Sequence, residues 1–111
     1  MFYLINDVDF MNSNKIYPLK QREVNAIVKK CNKFPVNKLI VFGSSVTTSV
    51  NPWSDIDLYI ETSEKDRRHF SELQKNINSP LDIWLSSEID ENLKAEIIKK
   101  GVVVYERREE N

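Results

Sequence analysis

The sequence predicts an α/β fold in a single domain, a small mixed β-sheet flanked by helices. Three observations predict it. After Pro18, the residues Val24, Ile27, Val28 and Cys31 recur at i, i+3, i+4 and i+7, one apolar face of a helix. Leu39-Ile40-Val41-Phe42 is an unbroken apolar run ending at Gly43, the pattern of a strand buried on both faces. Asp55 to Glu61 and Leu81 to Leu85 each alternate with a two-residue period, and a helically spaced segment separates them. Helices and strands interleaved in this way fold as helices covering a sheet.

Each element has a local cause. Pro18 suits a first helical turn, and the helix is expected over 18–32, before Pro35. Ser44 to Val50 reads as a short helix or helical turn stopped by Asn51-Pro52. In the next strand Ile56, Leu58 and Ile60 form a core face, and Asp55, Asp57 and Tyr59 the opposite, site face. Phe70, Leu73 and Ile77 predict a charged helix over 64–78, which Ser79-Pro80 breaks. Leu81, Ile83 and Leu85 then share a face opposite Asp82 and Trp84. Ser87-Glu88-Ile89-Asp90 resembles a capping box, Ile89, Leu93 and Ile97 mark the helix after it, and Gly101 can end that helix. Val102 to Tyr105 is the last strand. The domain is expected over 18–105, with 1–17 as an N-terminal extension holding a short strand at Phe2–Ile5, and 106–111 as a frayed charged tail.

Composition narrows the function classes. The 111 residues fit one domain. A net charge of −1 gives no global basic field for nucleic acid or anionic membrane. No apolar run reaches the length of a membrane span, and the opening residues lack a secretory leader, so a cytoplasmic protein is expected. Cys31 is the only cysteine, which excludes an internal disulfide and a cysteine-based zinc cluster and points to the core. His69, the only histidine, lies among charges and reads as surface.

The stretch from Gly43 to Asp57 carries the chemistry. Asp55 and Asp57 point from one strand face into the same space, and magnesium takes one or two carboxylates plus waters and substrate phosphates. Asp82, on the site side of the next strand, is the candidate third carboxylate, which would admit two ions. Gly43-Ser44 ends a strand and opens a turn whose N–H groups can meet phosphate oxygens, and the hydroxyls of Ser44 and Ser45 can add to them. The plain alternatives are a solvated acidic strand and an ordinary strand-to-helix turn. Trp53, beside the acidic pair, either stacks on a base or packs the loop. Trp84 shares the face of Asp82, lining a pocket or a partner surface.

Gly43-Ser44 followed by Ser54-Asp55-Ile56-Asp57-Leu58 resembles the nucleotidyltransferase superfamily that contains the DNA polymerase β palm. More narrowly it resembles the minimal nucleotidyltransferases of bacteria and archaea, small proteins often encoded beside a HEPN-domain protein. The resemblance covers about 36–105. It implies that Gly43 and Ser44 hold a triphosphate and that Asp55 and Asp57 bind two magnesium ions. Asp82 would complete the second metal site and help deprotonate an attacking hydroxyl. The implied reaction moves a nucleoside monophosphate, AMP from ATP first, to a hydroxyl of a protein or small molecule. The implied partner is a HEPN-type protein, with this chain as its antitoxin; a homo-oligomer is the other assembly considered. Many relatives carry Arg and Gly shortly after Gly-Ser, whereas this chain has Val46-Thr47-Thr48. That departure motivates a rival from another class, a partner-binding module of the same fold with weak or no catalysis. An aminoglycoside-type transferase acting on a small molecule is the other enzyme reading.

Overall fold

The computed structural model describes residues 10–107; the strand expected at Phe2–Ile5 and tail residues 108–111 lie outside them. Helix α1 spans Pro18–Lys30 with proline in its first turn, and a single 3-10 turn, Cys31–Lys33, extends it. Strands β1 (Lys38–Phe42), β2 (Ile56–Glu61) and β3 (Leu81–Leu85) follow, then helix α2 (Glu91–Lys100) and strand β4 (Val102–Glu106). The sheet runs β3-β2-β1-β4. β1 is antiparallel to both β2 and β4, whereas β2 and β3 are parallel. The sheet is therefore mixed, and the parallel pair requires a crossover, which residues 62–80 supply.

Each sheet face has its own cover. Leu39 and Val41 of β1, with Ile56, Leu58 and Ile60 of β2, bury against Val24 and Ile27 of α1 and Phe70 and Leu73 of the crossover. On the other face Ile40 and Tyr59 pack with Ile97 of α2. The face expected to serve β2 as an open site face is thus divided. Tyr59 is 1% exposed beneath α2, and the end bearing Asp55 and Asp57 remains accessible. The segment read as an N-terminal extension also contributes to the core, since Phe10 and Ile16 are buried in the larger cluster. Among the described residues no helix is long and apolar enough to cross a membrane.

Three expected elements differ in detail. The helix expected over 64–78 is a 3-10 helix, Arg67–Gln74. Phe70 and Leu73, three residues apart, align under its three-residue turn. Gln74 then diverts the chain: its amide donates to the carbonyls of Ile77 (3.1 Å) and Ser79 (2.9 Å) and accepts from Leu81 N–H (2.9 Å), while Asn76 takes a left-handed φ of 65°. The turn after β1 is also 3-10 and short, Gly43–Val46. The cap of α2 is Asp90, whose carboxylate accepts from Leu93 N–H at 2.8 Å, and not Ser87. Residues 86–88 are tied into a turn closed by Glu88 N–H on the Leu85 carbonyl at 2.9 Å, so Ser87 lies three residues before the cap that starts the helix. The tail is anchored where it begins, as Arg107 N–H donates to the Asn37 carbonyl at 2.8 Å.

Gly101 ends α2 for a reason of space. A Cβ there would lie 2.4 Å from Ile40 Cγ2 and 2.7 Å from the Ile97 carbonyl oxygen. Glycine is what lets α2 turn into β4 directly above β1. Gly101→Ala is expected to cost about 1–3 kcal/mol by overpacking. A urea midpoint equal to the parent's would contradict this.

Candidate active site

Asp57 and Asp82 are register partners on the parallel strands β2 and β3. The pleat therefore presents both carboxylates on one face, and both are half-buried. Asp55 stands just before β2, exposed, two residues from Asp57. Burial, followed by the charges of Asp82 and Asp55 and a hydrogen bond with Asp82, pushes Asp57 up from the ordinary 3.8 to about 6. The ion pairs formed among the described residues engage other acids, and no lysine or arginine neutralises Asp55, Asp57 or Asp82. Among the described residues no three His, Cys, Asp or Glu side chains converge closely enough to ligate one ion by themselves. The donors available are thus two adjacent carboxylates and a nearby third, all hard oxygens. That set fits an ion which completes its shell with water and substrate oxygens.

Gly43 backs the pair. It follows Phe42, the register partner of Asp57 across β1 and β2, and takes a φ of 75°. A Cβ at this position would lie 2.1 Å from Asp57 Oδ2 and 3.1 Å from its Cγ. Glycine is required here both by the left-handed conformation and by the carboxylate against it. Ser44 is half-buried. Ser45 points elsewhere in function: it is fully buried, its hydroxyl makes no hydrogen bond, and its carbonyl accepts from Tyr17 N–H at 3.2 Å. Of the turn residues singled out in the sequence, Gly43 and Ser44 lie by the carboxylates with surface to offer, and Ser45 anchors the turn to the start of α1.

Two clefts flank the carboxylates. One, about 190 Å³, is lined by Asp82, Trp84, Arg67, Glu88 and Ile89. Trp84 meets Phe42 edge-to-face, ring centres 6.4 Å apart. Arg67 donates to the Ile83 carbonyl and stands 3.6 Å from Glu88. The other, about 260 Å³, lies between Gly43 and α2, lined by Phe42, Leu93 and Ile97 with the Glu96–Lys100 pair, 3.5 Å apart, at its rim. Trp53 is 83% exposed and so does not pack its loop. His69 is a surface residue 3.8 Å from Glu64, and burial pushes the Cys31 thiol up to about 12, in keeping with an inert core position.

Sequence reasoning missed Lys20, which is 1% exposed and hydrogen-bonded to the chain just before Asp55. A signal was present. Position 20 precedes Val24 by four residues and so falls on the apolar stripe of α1, where a lysine needs partners.

A sequence model of the family described as Polymerase beta, Nucleotidyltransferase matches residues 23–110, and the chain belongs to that family. The small mixed sheet with its helices is consistent with the polymerase β-like fold, and nucleotidyl transfer is the general chemistry the family brings. No curated protein gives a significant match to the chain.

The raised Asp57 value has a consequence for stability. Between about pH 4 and pH 6 the folded chain holds a proton that the unfolded chain has released. Stability of the metal-free protein therefore falls as pH rises through that window and stays lower above it. Asp57→Asn is expected to raise the metal-free Tm at pH 8 by roughly 4 °C, about 1 kcal/mol after allowing for solvent screening, and by much less at pH 4. An equal gain at both pH values would contradict like-charge crowding. Gly43→Ala is expected to cost about 1–3 kcal/mol, because the left-handed backbone and the carboxylate both oppose a side chain. Its denaturation midpoint is the check.

Proposed function

We propose that this chain is a magnesium-dependent nucleotidyltransferase that moves a nucleoside monophosphate, AMP from ATP in the first instance, to a hydroxyl acceptor. The observation that carries the reading is the side-by-side placement of Asp57 and Asp82, paired with no lysine or arginine among the described residues, against the glycine turn at Gly43. Family membership supports it.

In this reading Asp55, Asp57 and Asp82 would hold magnesium. Bound there, magnesium would neutralise triphosphate charge and polarise the α-phosphate. Gly43 and Ser44 present the turn to the triphosphate, since Gly43 allows close backbone approach and Ser44 carries a hydroxyl donor. Asp82 borders the cleft with Trp84 and Arg67, so an acceptor hydroxyl entering there meets a carboxylate able to take its proton. The hydroxyl oxygen attacks the α-phosphorus in line, and the bond to the pyrophosphate oxygen breaks. Catalysis of this kind is mostly positioning and charge neutralisation, so loss of one carboxylate is costly. The acceptor class favoured by resemblance is a HEPN-type protein partner, with this chain as antitoxin; a small hydroxylated molecule is the alternative acceptor.

A second reading has a specific observation behind it. From Gly43 to Asp55 the chain offers no lysine or arginine to the phosphates, which favours a partner-binding module of the same fold with weak transfer. Calorimetric titration with ATP, GTP, CTP and UTP separates the two. The transferase reading expects magnesium-dependent binding of a nucleotide that falls at least about tenfold in the Asp55→Asn, Asp57→Asn double variant. No nucleotide binding by the folded parent, alone or with a HEPN partner, would favour the binding module.

A further inference from the structure

Lys20 is the only charged residue among the described residues that is fully buried. An amine removed from water must have its donors met. Nζ donates to the Ser54 carbonyl at 2.7 Å and to the Ser79 hydroxyl at 2.7 Å. Ser79 extends the network, its hydroxyl donating to Glu23 Oε1 at 2.5 Å and its N–H to Glu23 Oε2 at 2.8 Å. Glu23 is one turn along α1, with Oε1 4.0 Å from Nζ, so the closest partners of Lys20 are the two loops. Those loops have something in common. Ser54 immediately precedes Asp55, and Ser79 stands three residues before Asp82. They also bond to each other, through Ile56 N–H on the Pro80 carbonyl at 2.9 Å.

We infer that Lys20 is a positioning residue for the carboxylate site: it clamps the starting ends of β2 and β3 to α1 and so fixes Asp55 and Asp57 relative to Asp82. The clamp is independent of the proposed chemistry, whereas its effect on metal binding rests on that reading. A lysine kept only to fill the core would be replaceable by a methionine of similar length at little cost, as buried ionic groups often are. A clamp would not be.

The test compares the full chain, metal-free, as wild type, Lys20→Met and Val24→Ala, the last being a core truncation on the same helix. Amide hydrogen exchange and Mn2+ titration are measured on each. Lys20→Met is expected to speed exchange at Ile56 and Ser79 by about tenfold while Ile40 and Val104 keep their rates. Its Mn2+ affinity is expected to fall by about tenfold, whereas Val24→Ala loses stability and retains Mn2+ affinity within about twofold. Unchanged exchange at Ile56 and Ser79, or equal acceleration at all four amides, would overturn the clamp. Should Lys20→Met fail to fold, Ser79→Ala is expected to give the same local pattern and is judged by the same criterion. If the wild type binds no Mn2+, the transferase reading fails, and the exchange pattern still decides the role of Lys20.

Discussion

The contact between Gly43 and the Asp57 carboxylate is the constraint on which the site depends. It exists because β1 ends at Phe42, the register partner of Asp57, and the next residue turns the chain as a left-handed glycine. The same register, continued across the parallel pair, puts Asp82 beside Asp57. Three strands thus bring a turn and two acids to one line across the sheet. Shifting β2 or β3 by one residue would send its carboxylate into the opposite, apolar face, and shifting β1 would take Gly43 away from Asp57. The two covers of the sheet protect this arrangement. α1 and the crossover bury the centre of one face, and α2 covers the centre of the other while leaving the acidic end accessible.

Crowded carboxylates destabilise a fold until a cation meets them, and among the described residues no lysine or arginine pairs with these three. Natural proteins keep such strain at places where a ligand relieves it. The other described residues are ordinary by comparison: a well-buried core and acids paired with bases on the surface. The contrast between surface acids paired with bases and an acidic end whose carboxylates crowd one another gives the functional reading its physical content. The buried network of Lys20, Ser79 and Glu23 lies beneath that end. There burial alone would raise the Glu23 carboxyl, yet hydrogen bonds from Ser79 and the charge of Lys20 hold it below its ordinary value.

Much of this was legible in the sequence because it depends on period and punctuation. The apolar run before Gly43 and the alternation through Asp57 and Asp82 marked strands and the faces on which the acids stand. What was not legible depends on contacts distant in the chain. Helical spacing at Phe70 and Leu73 suits a 3-10 turn as well as an α-helix, and the side chain of Gln74 decides where it ends. Tyr59 shares the pleat face of Asp57 but is hidden by α2, which no local pattern announces. Ser45 looked like Ser44 until the turn geometry buried it. Gly101 ends its helix as expected, but the reason, its close approach to Ile40, is a contact distant in the chain.

The central claim is that Asp57 and Asp82 jointly hold a divalent ion together with a nucleoside triphosphate. A crystal structure grown with Mn2+ and a non-hydrolysable ATP analogue tests it most directly, through the anomalous signal of the metal. The account predicts a peak at the Asp57 and Asp82 carboxylates, with the triphosphate against Gly43 and Ser44. At saturating Mn2+ and analogue, a peak elsewhere or no peak at these two aspartates would contradict it.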